Sequence, residues 1–318
     1  MALTLRPFET ADDDLLPALA SAAAPFDPVG MTDWVEQRRR FDATKYTRRH
    51  YLALDGGRAR GYGAIEQQGG DPSRYRLFVV CAPEDLDTAG TQLYDQLLAD
   101  LKTLNARVAW TREYRQDEAL LAFFAARGFV QTALTWDLRL RVAEADPDRV
   151  RQGMDDIAAS GVTIISYAQL CKRGPACDEA IHQLINAIRV EQSLTSTVPP
   201  LSLEHVQQWL AGPLMLPEAC FVAQREDRGR LRAIGISAMA RSEFHPRCLV
   251  QDFVGIRRAE RQPELIAAFG AAVLAYARAR GYETLVAYLP DERAALRAAY
   301  EGLGFRREFG YVSAEKAL

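Results

Sequence analysis

The chain has little that would tie it to a membrane, a metal or an oxidising compartment. No apolar run approaches the roughly 18 residues that a spanning helix needs. Met1-Ala2-Leu3-Thr4-Leu5-Arg6 runs straight into a strand-like pattern, so no signal peptide is expected. The five cysteines (81, 171, 177, 220 and 248) are odd in number and form no CxxC pair, and the four histidines stand singly. A disulfide framework and a metal site are therefore not expected, and a reducing cytoplasm is the expected setting. An excess of charge is missing too. With 39 basic and 42 acidic residues the net charge is −3, which gives no reason to expect nucleic acid or an anionic membrane as partner. The arginine runs at 38–40 and 48–49 have no interleaved aromatics for stacking on bases and read as solvated faces.

What is present is enough apolar material for two domains. The 318 residues are 48% apolar and 25% charged, an ordinary globular composition at about 150 residues per domain. The clearest pattern is internal. A β-branched run, Val250 to Ile256, ends in Arg257-Arg258-Ala259-Glu260-Arg261. A helical pattern follows, with Leu265, Phe269, Val273, Tyr276 and Ala277 at helical spacings and a stop at Gly281. A strand, Thr284 to Leu289, leads into a second helix that ends in Tyr300-Glu301-Gly302-Leu303-Gly304-Phe305. The same plan lies 176 positions earlier without a gap, so that Arg261 falls on Asp85, Tyr300 on Phe124 and Gly304-Phe305 on Gly128-Phe129. A repeat of this period implies two copies of one domain.

The rest of each half agrees with that. In the first, a strand at Leu3 to Phe8 precedes helical patterns at about 12–23 and 33–41. A hairpin signal follows at Tyr51 to Gln67, then an apolar strand at Tyr75 to Val80 and the repeated unit, with Leu134 to Leu140 as the closing strand. Glu144-Ala145-Asp146-Pro147-Asp148 marks a boundary from which a linking helix runs to about Ala159. Val162 to Tyr167, helices at 179–192 and 203–210, and a hairpin from Phe221 to Ala240 restate the opening plan. Each half reads β-α-α-β-β-β-α-β-α-β. The expected fold class is α/β, more closely an α+β mixed sheet, with domains at 1–142 and 161–318 joined by a linking helix at 143–160.

This pattern resembles the GNAT N-acetyltransferase superfamily in tandem, and in plan it is similar to mycothiol synthase and its tandem relatives. The second half is the closer match. Val254 to Arg261 sits where such proteins have a strand end and the first basic residue of an R/Q-x-x-G-x-G/A loop, and Leu303-Gly304-Phe305 resembles the end of their last helix. The resemblance implies acetyl-CoA as acyl donor and a small-molecule amine as acceptor. Its implied cofactor site is the Ile256 backbone for the pantetheine, with Arg258, Arg261, Gln262, Leu265 and Ile266 around the pyrophosphate. Anions are favoured there because a helix start presents unsatisfied N–H groups. In this sequence the two small positions of the loop hold Glu264 and Ile266, and Pro263 has no N–H to donate. Weak or displaced CoA binding is therefore expected, with Glu264 standing in for the ligand's charge.

Acyl transfer to an amine needs a group that takes the amine proton and an acid for the departing thiolate. By the resemblance, Tyr300 occupies the acid's place, whereas Phe124 in the first half has no proton to give. Asp252 is the candidate base, and alternation would put it on one strand face with Val254 and Ile256. Its counterpart in the first half is Arg76, which cannot serve, so that half is expected to be degenerate. Glu191 and His245 are weaker candidates for the base. The bland readings are that Tyr300 is a packing aromatic and Asp252 a strand carboxylate paired to an arginine. If they hold, the chain is a non-catalytic tandem GNAT-fold protein that binds a ligand or partner without acetyl-CoA.

Overall fold

The structure is a computed structural model that describes residues 3–40, 46–67, 71–174, 176–192, 200–227 and 230–318. Residues 68–70, residues 228–229 within the hairpin expected at 221–240, and the last residue of the helix expected at 33–41 lie outside the described residues. In chain order the first elements are β1 (Thr4–Pro7), α1 (Leu16–Ala23), α2 (Pro28–Arg39), β2 (Arg48–Asp55), β3 (Arg58–Gln67) and β4 (Arg74–Cys81). Next come α3 (Thr91–Thr103), β5 (Val108–Tyr114), α4 (Glu118–Ala126), β6 (Val130–Arg141), α5 (Pro147–Ala159), β7 (Val162–Ser166) and α6 (Tyr167–Cys171). The chain continues through α7 (Cys177–Gln192), α8 (Leu203–Leu210), β8 (Met215–Asp227), β9 (Arg230–Arg241) and β10 (Cys248–Ile256). It ends with α9 (Pro263–Arg280), β11 (Thr284–Pro290), α10 (Ala294–Gly302) and β12 (Arg306–Ala317). No helix among the described residues is long and apolar enough to cross a membrane.

The repeat is visible in these bounds. β5 and β11, α4 and α10, and β6 and β12 each begin and end 176 positions apart. Side-chain geometry repeats with them. The rings of Phe124 and Phe129 lie 5.0 Å apart at 62°, and those of Tyr300 and Phe305 lie 5.0 Å apart at 63°. Asn105 and Gly281, which follow the long helix of each copy, both have positive φ (52° and 74°), the left-handed conformation that ends a helix.

Two compact units divide the chain, Met1–Thr135 with Phe309–Leu318, and Trp136–Glu308. The first has strand order β1-β2-β3-β4-β5-β12, mixed, with β4 and β5 parallel and β12 antiparallel to β5. The second has order β6-β11-β10-β9-β8-β7, also mixed, with β10 and β11 parallel. Here the structure departs from the sequence reading, because the strand at 134–140 does not close the first unit. That place beside β5 is taken by β12, from Tyr311 opposite Tyr114 to Ala317 opposite Val108. Leu138 and Leu140 of β6 instead lie in the second unit's core with Tyr300 and Phe305. The compact units therefore do not follow the boundaries 1–142, 143–160 and 161–318. The final strands of the two copies have equal length, and a period-two pattern fixes a strand's face without naming its neighbour.

The second unit has helices on both faces of its sheet. On one face α9 and α10 bury Leu274, Ala277 and Tyr300 against Leu249, Leu285 and Ala287 of the strands. Pro263 pre-sets the first turn of α9, and Gly270 lets the helix meet α10, since a Cβ there would lie 2.1 Å from Leu303 Cδ1. The helix expected after the boundary is present as α5, inside the second unit; beside it the guanidinium of Arg278 on α9 donates to the Ala145 carbonyl at 2.6 Å. On the other face α7 and α8 pack Ile181, Ile185, Ile188 and Val206 onto Val222 and Ile236.

Candidate active site

The second unit's site begins where two parallel strands part. β10 and β11 pair from Cys248 opposite Thr284 to Gln251 opposite Ala287 and no further, although β10 continues to Ile256 and β11 to Pro290. Beyond Gln251 the main chain of β10 has no strand partner on that side. On its other side it stays on β9 as far as Ile256 opposite Gly235.

At the parting point β10 also bulges. Gln251 faces Met239 and Phe253 faces Ala238, so Asp252 is the extra residue. The bulge overturns the expected alternation. Val254 and Ile256 enter the cores under α9 and α10, whereas Asp252 and Phe253 together line a groove under α7 and α8. That groove measures about 240 Å³ and is also lined by Arg189, His205 and Trp209. Asp252 is exposed and accepts a hydrogen bond from the Trp209 indole N–H at 2.5 Å. Among the described residues it has no arginine partner, but it does not reach Tyr300's face of the strand.

Tyr300 is buried on α10, where its hydroxyl accepts a hydrogen bond from the Gln251 side-chain amide. The same amide donates to Ser237 Oγ at 3.1 Å. Gln251 Oε1 is buried with no hydrogen-bond partner, and both residues line a cavity of about 10 Å³. Burial pushes the phenol above its ordinary value, so the proton stays on at neutral pH. Among the described residues that O–H has no acceptor. Position 300 is therefore a packing site that also carries a buried phenolic proton.

The basic loop after β10 has a partner that sequence reasoning placed elsewhere. Glu191, near the end of α7, accepts from Arg257 Nε at 2.7 Å and from the main-chain N–H of Arg258. The guanidinium of Arg258 donates to the Glu191 carbonyl at 3.1 Å, and that of Arg261 reaches it at 3.5 Å. Burial would raise the Glu191 carboxyl, but the Arg258 N–H and the Arg257 guanidinium leave it below its ordinary value. Glu191 is thus engaged and is not a free base. His245 lies in the turn between β9 and β10, where Ser242 Oγ accepts its main-chain N–H at 3.1 Å, and it does not line the groove. Glu264 is exposed, and no ion pair holds it among the described residues. Gln262 caps α9 through its carbonyl, which accepts the Leu265 N–H at 3.1 Å. Leu265 and Ile266 turn inward as packing residues beside Ile256 and Phe269.

These residues suit acetyl-CoA in part. The main chain of 252–256, which has no strand partner on the β11 side among the described residues, and the orphaned Gln251 Oε1 suit an amide-bearing, acyl-carrying group, although the Ile256 carbonyl already accepts from Arg261 Nε at 3.5 Å. The anion-binding end suits it less, because Glu191 already uses the N–H and guanidinium that a pyrophosphate would need.

No family model and no curated relative matches the sequence. Solved structures do match. A GCN5-related N-acetyltransferase from Sphaerobacter thermophilus superposes at TM-score 0.70 and 15% identity, over 99% of this chain and 95% of that one. A tandem GNAT protein from the clavulanic acid biosynthesis pathway does so at TM-score 0.63 and 16% identity, over 99% and 98%. The fold is that of the tandem GNAT acetyltransferases. At 15% and 16% identity the likeness is one of fold. A glucosamine N-acetyltransferase region of a fungal multi-domain β-N-acetylglucosaminidase matches similarly, at TM-score 0.70 and 16% identity, over 99% of this chain and 38% of that one.

The two units differ at the positions of the candidate site residues. In the first, β4 and β5 also part, after Arg76 opposite Trp110. By register Arg76, opposite Trp110, stands where the second unit has Val250, opposite Val286, so the expected match of Arg76 to Asp252 does not hold and β4 has no counterpart of the bulge residue. The Arg76 guanidinium lies over the rings of Phe78 (4.2 Å) and Trp110 (5.2 Å). Burial brings it down to about 10. Phe124 replaces Tyr300 and is only 1% exposed. Before α3 the chain forms a 3-10 turn at Pro83–Asp85 and a π-helical turn at Leu86–Gly90.

Proposed function

We propose that the second unit transfers an acetyl group from acetyl-CoA to a small amine. The observation that carries this reading is the Gln251–Tyr300 contact at the point where β10 and β11 part. Bound acetyl-CoA supplies an acyl group activated as a thioester. The chain's own residues do the rest. The main chain at Ile256 holds the pantetheine, and Arg258, Arg261, Gln262 and the starts of Leu265 and Ile266 hold the anionic end once Glu191 has left it. Tyr300 keeps its proton until a thiolate departs beside it, and Gln251 fixes the oxygen that carries it. Asp252, oriented by Trp209, takes the proton of an amine seated in the groove under α7 and α8. Tyr300 and Asp252 point to opposite faces of β10, so only a reacting centre in the gap between β10 and β11 lies within reach of both. The first unit, with Phe124 in place of Tyr300 and no counterpart of the bulge residue Asp252, is a degenerate copy with a structural role, and the setting is the cytoplasm.

A second reading, a non-catalytic tandem GNAT-fold binding protein, is favoured by one observation, the seating of Glu191 on the basic loop. Thiol release from acetyl-CoA in the presence of a panel of small amines separates the two. Amine-dependent release that falls in Tyr300→Phe supports the enzyme. No release with any amine, and no binding of acetyl-CoA, supports the alternative.

A further inference from the structure

The turn between α6 and α7 brings two thiols together that the sequence showed only as unrelated cysteines. Cys171 is the last residue of α6 and Cys177 the first of α7. Gly174, with φ at 146° in the region that favours glycine, turns the chain between them. The two Sγ atoms lie 2.6 Å apart, and both residues are half-buried, within reach of small solutes.

Asp178 completes a cluster of three ligand-type side chains, so a metal site must be weighed first. Two sulfurs on one tetrahedral zinc are separated by about 3.8 Å, because each Zn–S bond is about 2.3 Å. At 2.6 Å the thiols are too close to share an ion. The Asp178 carboxylate is also engaged, accepting from the Tyr167 hydroxyl and from Gln207 Nε2. The geometry suits direct bonding of the sulfurs.

We infer that Cys171 and Cys177 are a modification site, a thiol pair that a hydroperoxide oxidises to a disulfide stapling α6 to α7. The step balances. The Cys171 thiolate attacks the O–O bond of hydrogen peroxide, giving a sulfenic acid and one water. The Cys177 sulfur then displaces the sulfenic hydroxyl as a second water. Two thiols lose two protons and two electrons, and the peroxide is reduced. Burial, then hydrogen bonds with Cys171 and Asp178, pushes the Cys177 thiol up to about 12. The other three cysteines, Cys81, Cys220 and Cys248, are buried and slow to react. The staple would fix the first turn of α7, whose later residues Ile185 and Arg189 line the groove and whose Glu191 holds the basic loop.

The test is a thiol count and peptide map of the full chain, before and after hydrogen peroxide, with free thiols blocked by alkylation. Two of the five cysteines should escape alkylation, with a mass loss of two hydrogens and a cross-link between the peptides of Cys171 and Cys177. A reductant should reverse it. Cys171→Ser and Cys177→Ser, checked for folding by circular dichroism, should show no cross-link. Five alkylated cysteines after peroxide would overturn the inference, as would a cross-link to Cys220 in place of Cys177. Protection of both thiols of the reduced protein by one equivalent of zinc chloride would also overturn it, in favour of a metal site.

Discussion

Gln251 on β10 donates its side-chain amide to the hydroxyl of Tyr300 on α10. The bond joins the strand that parts from β11 to the last helix of the repeated unit, and it leaves the phenolic proton without an acceptor among the described residues. If that proton serves a departing thiolate, Tyr300→Phe should lower turnover by about 100-fold, within the range for general acids. Affinity for acetyl-CoA should stay within about twofold. Stability should fall by about 1–3 kcal/mol, since a buried amide loses one of its partners. Unchanged turnover, measured on protein shown to be folded, would leave position 300 as packing alone.

Glu191 is expected to compete with the anionic end of the donor. Glu191→Gln keeps the side chain's shape but removes its charge from Arg257 and the Arg258 N–H. Affinity for acetyl-CoA should rise by about tenfold, equivalent to about 1.4 kcal/mol. The ion pair is partly exposed, so stability should change by less than about 1 kcal/mol. Calorimetric titration of both proteins measures the first effect and urea unfolding the second. Equal affinities would show that Glu191 does not guard the loop.

Phe124 should act through folding alone. It packs on Phe129 as Tyr300 packs on Phe305, but its core offers no polar partner of the Gln251 kind. Phe124→Ala should cost about 3–5 kcal/mol of stability, and Phe124→Leu much less. Thermal unfolding checks both. A loss of acetyl transfer in Phe124→Leu at full stability would give the first unit a chemical role that this account denies it.

His50 makes the first unit acid-sensitive. Burial, then the nearby Arg48, pushes its imidazole down to about 4, with Glu66 and Asp12 opposing. The unfolded chain takes up that proton at about 6.5. Between these values the unfolded state binds more protons, so stability is fully present above about pH 6.5 and falls as pH drops towards 4. The ceiling is about 3 kcal/mol, and partial exposure of the ring reduces it. His50→Phe keeps the ring contact with Phe8 (4.8 Å) and should flatten urea midpoints between pH 6.5 and 4. An equally steep fall in the variant would assign the acid sensitivity to other groups.

Much of the fold was legible because the repeat carries it. Gly128-Phe129 and Gly304-Phe305 mark the same helix end twice, and the elements before and after them keep their spacing. The exchange of β6 and β12 was not legible, since equal strands with the same alternation do not state which neighbour they choose. At the candidate site, the packing place of Tyr300 was legible because its ring repeats Phe124. The facing of Asp252 was missed because nothing in Val250 to Ile256, least of all a glycine at the bulge, marks the extra residue. Gln251 gave no signal, as a lone amide in an apolar strand resembles any edge residue. Glu191 was read as a possible base because its true partner, Arg257, lies 66 residues away in sequence. Proximity of that kind exists only in the folded chain.

Hydrogen–deuterium exchange of the Glu191→Gln protein, with and without acetyl-CoA, tests the central claim most directly. Exchange should slow in peptides covering 252–266, where β10 has no strand partner on the β11 side among the described residues and α9 begins, and should not change at 76–90 of the first unit. Protection confined to 76–90, or no protection anywhere at saturating acetyl-CoA, would contradict it.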